Sequence, residues 1–254
     1  MPTSSTQDPQ ALLRASEAAF DTIAQIHSCM SAHAAGSDLA RLARARAGER
    51  VPVNPHTAAV LRLAQTWFAT SAGAFDPHGA GRRLAQLGVR PGLGDAQRST
   101  GSLLGLRVRD DQFVDTDGPL QLDLGGIAKG YAVDQAVSTL RAHGIAGGLV
   151  NAGGDLRAFG PRSWHIEVQH PVVWSRSRRL LHLRDAAIAT SLGAPHNADF
   201  VATRRRAARW QCSTVLARDC ATADALTKWA LQARGPSLQL RATLARVGAH
   251  MWRE

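Results

Sequence analysis

The chain has 254 residues, 44% of them hydrophobic and 20% charged, a balance that fits a folded protein with a sizeable core and excludes disorder and a bundle of membrane helices. Thirty basic residues against 20 acidic ones give a formal charge of +10 and a pI near 11.1, which on its own points to a polyanionic partner. Only Lys129 and Lys228 are lysines, so 28 of the 30 basic residues are Arg; a chain-wide preference for Arg at solvated positions accounts for the charge and marks the two lysines as places where a compact ammonium is needed.

No apolar run reaches the roughly 18 residues of a membrane span. The first thirty residues carry acids, Gln and an early Pro in place of the basic start and apolar stretch of an export signal, so a cytoplasmic location is expected. Cys29, Cys212 and Cys220 are odd in number and lack zinc-type spacing, which makes them ordinary thiols.

Asp8-Pro9 supplies a helix cap and first-turn proline, and Leu12, Ala15, Ala19, Ile23, Ile26 and Met30 follow at helical spacing. Asn54-Pro55 repeats the signal ahead of Val60, Ala64, Trp67 and Ser71, and this second helix ends in the loop Gly73-Ala74-Phe75-Asp76-Pro77. A glycine-rich stretch to about Gly105 has one short helical run around Leu84. Leu106 to Arg109 and Gln112 to Asp115 read as a hairpin around Asp110-Asp111, and Leu120, Leu122 and Leu124 as a third strand. A helix from about Gly130 to Ala142 follows the turn Gly125-Gly126. Strands are then expected at 148–150, 164–169, 179–183, 187–190 and 211–217, and a helix capped by Thr222 runs to Gly235. Helices followed by strands with two helices inserted indicate an α+β fold in one compact domain, 1–254.

Three segments carry chemistry. Asp123 to Asp134 sets a carboxylate at a strand end, two glycines in a turn and Lys129 at a helix start, where free backbone N–H groups favour an anion. A phosphate fits there; so does a structural turn beside a solvated lysine. The segment is neither a Walker loop, since Gly130 follows the lysine, nor a G-x-G-x-x-G motif. Asn151 to Asp155 combines glycines with an amide and a carboxylate, which also describes a turn capped by its own Asn. Asp224 and Lys228 lie four apart on a helix, as in an ordinary surface ion pair.

Taken together and in order, these segments resemble the FAD:protein FMN transferase, or ApbE, family. Ser37-Asp38-Leu39 is similar to its early Ser-Asp stretch, and Gly73 to Pro77 to its G-A-F-D-P-T segment, with His78 in place of Thr. Asp123 to Asp134 is similar to D-L-G-x-I-A-K-G-Y-A-x-D, Asn151 to Gly160 to N-x-G-G-D-x-x-x-x-G, and Ala189-Thr190-Ser191 and Ala223 to Leu226 complete the series. The resemblance implies an α+β fold of two intertwined halves with FAD between them. It also implies metal-dependent transfer of FMN from FAD to a Thr or Ser hydroxyl of an acceptor protein, with release of AMP. It assigns Ala74, Phe75, Asp76, Asp123 and Lys129 to FAD, and the Gly126 carbonyl and Asp224 carboxylate to magnesium.

Three departures shape the expectation. Where the family has a metal-binding Thr four residues after its Asp, this chain has Lys228, whose ammonium would fill the cation site or pair with Asp224. The family's H-x-x-D-P-x-T-G loop is reduced to His196-Asn197-Ala198-Asp199-Phe200, leaving His196 and Asp199 as the catalytic candidates. The family's opening strand with M-G-T and its frequent lipoprotein signal are absent, as in a truncated start or a cytoplasmic branch. The competing readings are an FAD-binding protein on the same scaffold with weak or lost transfer, and a nucleic-acid module resting on the arginines alone.

Overall fold

A computed structural model describes residues 8–88, 99–110, 112–168, 179–193, 211–233 and 237–253. The first helix, α1 (Pro9–Met30), starts where Asp8 Oδ1 accepts the Gln10 N–H at 3.1 Å. Its buried stripe runs through Ala15, Ala19, Ile26 and Met30, whereas Leu12 is exposed. A short helix that periodicity does not reveal, α2 (Asp38–Arg44), is capped by Ser37. The buried carboxylate of Asp38 ties it to Arg41, to the Asn54 N–H and to the Thr57 hydroxyl at the start of the next helix, α3 (Pro55–Thr70). The Asp76 side chain caps α4 (Pro77–Gln86) by accepting the Gly79 N–H at 2.8 Å.

The expected hairpin is present. Strand β1 (Arg50–Pro52) joins β2 (Arg107–Val108) and β3 (Phe113–Asp115) in an antiparallel sheet of order β1-β3-β2. The third strand expected at Leu120 to Leu124 does not form. All three leucines are buried, as their alternation requires, but the backbone bonds go to helix ends: the Leu120 N–H donates to Leu42 O and the Asp123 N–H to Pro77 O, both at 2.9 Å. Gln121, between Leu120 and Leu122, is buried as well, so the stretch is covered on both sides and not split into the two faces of a strand.

The second half begins with α5 (Ala128–Ala142) and builds an antiparallel sheet from β4 (Gly148–Ala152), β5 (Asp155–Phe159), β8 (Ala187–Leu192), β9 (Cys212–Ala217) and β10 (His250–Arg253), in the order β10-β9-β8-β5-β4. A separate pair, β6 (Trp164–Val168) and β7 (Arg179–Leu183), forms a two-stranded ladder. Helix α6 (Cys220–Gln232) packs on β8 and β9 and against α5, which in turn packs on α1; α7 (Leu238–Val247) precedes β10. The cap of α6 is Asp219, which accepts the Thr222 N–H at 2.8 Å, so Thr222 lies in the first turn and not before it. One apolar cluster, running from Ile26 and Leu61 through Leu122 and Ile127 to Val215 and Trp229, joins the N-terminal helices to the five-stranded sheet. The architecture is α+β, as the order of elements indicated. No described helix is long and apolar enough to cross a membrane.

Asp134 fixes α5 against the start of α6. Its two carboxylate oxygens accept the N–H groups of Cys220 and Ala221, each at 2.9 Å, and Arg157 Nη1 donates to Oδ1 at 2.7 Å. Burial pushes this carboxyl above its usual range, against the opposing pull of the two N–H groups and Arg157. Replacing it strands a largely buried guanidinium and two helix-end donors. Asp134→Ala is expected to lower unfolding free energy in urea by roughly 3 to 5 kcal/mol, with Asp134→Asn less damaging; an unchanged denaturation midpoint for the Ala variant would refute this role.

Candidate functional site

The turn before α5 is built by its own side chain: Asp123 Oδ1 accepts the Gly125 N–H at 3.0 Å. The boundary residue of α5, Ile127, offers no side-chain cap of its own; the Ala128 N–H donates to Leu124 O at 2.8 Å, and a carboxylate from another helix meets the Gly130 N–H. The Phe75 ring lies against the turn, since a Cβ on Gly126 would meet Phe75 Cε2 at 3.4 Å. The bond from Asp123 N to Pro77 O joins the loop bearing Ala74, Phe75 and Asp76 to this turn.

Gly130 lets α5 and α6 approach. A Cβ there would stand 2.2 Å from Cys220 O and 2.8 Å from Ala221 N, both backbone atoms. Without one, the Gly130 N–H points at Asp224 Oδ2 at 3.4 Å, and Lys129 Nζ reaches the same oxygen at 3.6 Å. Lys129 also donates to Gly125 O at 2.9 Å and lies 3.1 Å from Asp155 Oδ2, while half its side chain stays exposed. Lys228 comes from the other side, with Nζ 3.3 Å from Asp224 Oδ1. It also donates to Ser191 Oγ, which shares a 2.6 Å bond with Thr227 Oγ1. The only two lysines of the chain thus converge on one fully buried carboxylate.

Charge balance follows. Burial raises the Asp155 carboxyl to about 6, with Asp224 adding to the effect and Lys129 and Lys228 opposing it. Burial also works against the Lys129 ammonium, but Asp224 and Asp155 outweigh it and leave its pKa above the usual lysine value. Asp155 Oδ2 and Asp224 Oδ1 are buried oxygens that face an ammonium without an aligned hydrogen bond.

The expected site residues Phe75, Gly126, Lys129 and Asp224 are therefore brought together, with Asp123 closing the turn beside them and Asp76 spent as the cap of α4. His196 and Asp199 lie outside the described residues. Asp155 and Ser191 join the cluster; both lie in segments that carry the family resemblance, but neither was assigned a role from the sequence. The signal was in the glycines ahead of Asp155: Gly153 and Gly154 have φ of 70° and 100°, the turn of a tight hairpin in which Ala152 pairs with Asp155, so the carboxylate opens β5.

A divalent cation does not fit beside these side chains as they stand. The oxygens of Asp224, Asp155, Ser191 and Thr227 are the hard donors such an ion takes. Asp224 Oδ1 and Ser191 Oγ, however, already face Lys228, and Asp224 Oδ2 and Asp155 face Lys129, so two negative charges meet two positive ones. Among the described residues, no three His, Cys, Asp or Glu are placed to hold a metal ion.

Comparison with known proteins identifies the family. The sequence pattern of the ApbE family matches residues 3–237. The chain belongs to the ApbE family. It is 29% identical over 163 residues to an FAD:protein FMN transferase of Rhodobacter capsulatus, a match covering 59% of this chain and 31% of that protein. A second FAD:protein FMN transferase, from Treponema pallidum (strain Nichols), is 28% identical over 202 residues, covering 69% of this chain and 56% of its own. The chain thus spans about a third and about half of the lengths of these two relatives. The apo crystal structure of the Pseudomonas stutzeri flavinyl transferase ApbE superposes with a TM-score of 0.80 at 22% identity, over 98% of this chain and 84% of that one, and shows the shared fold.

Because the approach of α5 to α6 carries Lys129 to Asp224 in this ApbE-family chain, Gly130→Ala has to push the helices apart. A loss of roughly 1 to 3 kcal/mol in stability is expected, measured by thermal unfolding. Gly36→Ala serves as the control, since a Cβ there meets nothing within 4 Å.

Proposed function

We propose that this chain moves FMN from FAD to a Thr or Ser hydroxyl of an acceptor protein and releases AMP. The observation that carries the reading is the Asp123–Gly126 turn leading into the start of α5, where Lys129 is held half exposed, in a chain of the ApbE family. In this reaction the acceptor oxygen bonds to the FMN phosphorus, the bond from that phosphorus to the AMP oxygen breaks, and the hydroxyl proton is lost. Negative charge grows on the phosphoryl oxygens, and a preorganised ammonium at a helix N-terminus stabilises it.

In this proposal Lys129 and the first turn of α5 take the pyrophosphate. Asp123 holds the turn that shapes the site, and Phe75 with its neighbours Ala74 and Asp76 borders the flavin nucleotide, bound between the N-terminal helices and the five-stranded sheet. His196 and Asp199 are carried as candidates for handling the hydroxyl proton. Magnesium, with Gly126 and Asp224 as its ligands, is implied by the resemblance alone, and both oxygens of Asp224 already face an ammonium.

Purified protein mixed with FAD should give a perturbed flavin absorption spectrum and, with a hydroxyl acceptor, release AMP. Lys129→Ala is expected to weaken FAD binding by roughly tenfold or more, the effect of a lost charged hydrogen bond, and to lower stability as well, since Asp155 and Asp224 lose an ammonium partner. FAD titrations that coincide for wild type, Lys129→Ala and Asp123→Ala, all folded, would remove the assignment. Flavin binding without any AMP would favour a binding protein on the same scaffold.

A further inference from the structure

We infer that the Lys228 ammonium is the resident cation of the Asp224 site, standing where a divalent metal ion would otherwise sit, and that Gly126 is the residue that makes room for it. The inference deepens the FMN-transfer reading, on which it depends for the identity of the anion but not for the nature of the cation.

Composition gives the first reason. In a chain where 28 of 30 basic residues are Arg, Arg has been excluded at two positions, and both of those side chains end on Asp224. A lysine concentrates its charge in one small tetrahedral group with three donors, whereas a guanidinium is planar and wider. The Lys228 head is engaged on two sides, by Asp224 Oδ1 at 3.3 Å and by Ser191 Oγ. Ser191 is locked by its bond to Thr227 Oγ1, and that hydroxyl donates to Asp224 O at 2.6 Å. Among the described residues, Lys228 thus serves Asp224 Oδ1 and Ser191 while Lys129 serves Asp224 Oδ2.

The second reason is the path of the Lys228 stem. A Cβ on Gly126 would lie 2.9 Å from Lys228 Cγ and 3.2 Å from Cε, so the methylenes cross directly over this turn. Gly126 is not among the residues with positive φ, so backbone conformation does not call for a glycine there. What its missing side chain provides is space for Lys228, and the two residues form a matched pair.

Electrostatics gives the third reason. Two lysines already balance Asp155 and Asp224, so a divalent ion would add two uncompensated charges beside an ammonium in a buried setting, where like charges repel strongly. With Lys228 replaced by a neutral side chain, Asp224 Oδ1 would lose its counter-charge, and a hard divalent cation would be its natural substitute.

The test titrates Mn2+ into metal-stripped protein by calorimetry, and separately titrates FAD with a chelator or with millimolar Mg2+ present. Wild type should show no Mn2+ site, and its FAD affinity should be the same under both conditions. Lys228→Thr should gain a Mn2+ site, and its FAD affinity should fall roughly tenfold or more in chelator and recover with Mg2+. Lys228→Met should gain the same Mn2+ site, keeping the test open if the Thr variant misfolds. Lys228→Arg and Gly126→Ala should both weaken FAD binding without metal. A Mn2+ site in wild type, or FAD binding by wild type only with Mg2+, would overturn the inference while leaving FMN transfer standing. Absence of FAD binding under every condition would instead remove the FMN-transfer reading, and the Mn2+ titrations alone would then decide the nature of the cation.

Discussion

Everything at the candidate site depends on how closely α5 meets the beginning of α6. Two devices enforce that approach: the missing Cβ of Gly130 over Cys220 O, and the Asp134 carboxylate on the Cys220 and Ala221 N–H groups. Asp134 acts as a second N-terminal cap for α6, beside the local one from Asp219. The consequence is geometric. Lys129, five residues before Asp134 on α5, and Asp224, one turn into α6, are carried to 3.6 Å without either side chain having to seek the other.

The same constraint explains why the cluster tolerates so much buried charge. Asp224 is fully buried and Asp155 nearly so, a costly state for carboxylates unless they are paired. Each has an ammonium delivered by a fixed element: Lys129 by the first turn of α5 and Lys228 by α6 itself. The hydroxyls of Ser191 and Thr227 extend the network to the adjoining strand β8. The opposite ends of the chain contribute little to this set, yet the Phe75 loop reaches it through the backbone bond between Asp123 and Pro77.

Much of this was legible in the sequence where local chemistry decides. Asp8-Pro9 and Asn54-Pro55 announce helices because cap and proline act within one turn, and the Asp110-Asp111 hairpin declares itself in the same way. The rare lysines were legible as a compositional anomaly. What escaped depended on distant partners. Leu120, Leu122 and Leu124 are buried as their spacing suggests, but the pattern could not show that Gln121 between them is buried too or that the backbone bonds to helix ends. Helix α2 is too short for periodicity and is held by the buried Asp38, whose partners lie up to 19 residues away. Asp155 looked like part of a turn because its role appears only when β5 sets it opposite Lys129.

The half-exposed Lys129 has a further consequence for how an anion would enter. Its ammonium is already in use, shared between Asp155, Asp224 and the Gly125 carbonyl. An arriving pyrophosphate would not meet a bare positive charge surrounded by counterions, as it would on the arginine-rich surface; it would take over a contact from a carboxylate. Under the proposed function, binding would be an exchange of ion pairs inside the protein, with few small ions released to solvent. Ionic strength then governs how quickly an anion is gathered by the outer surface, and the strength of its final hold is set by the competition between its phosphates and two aspartates.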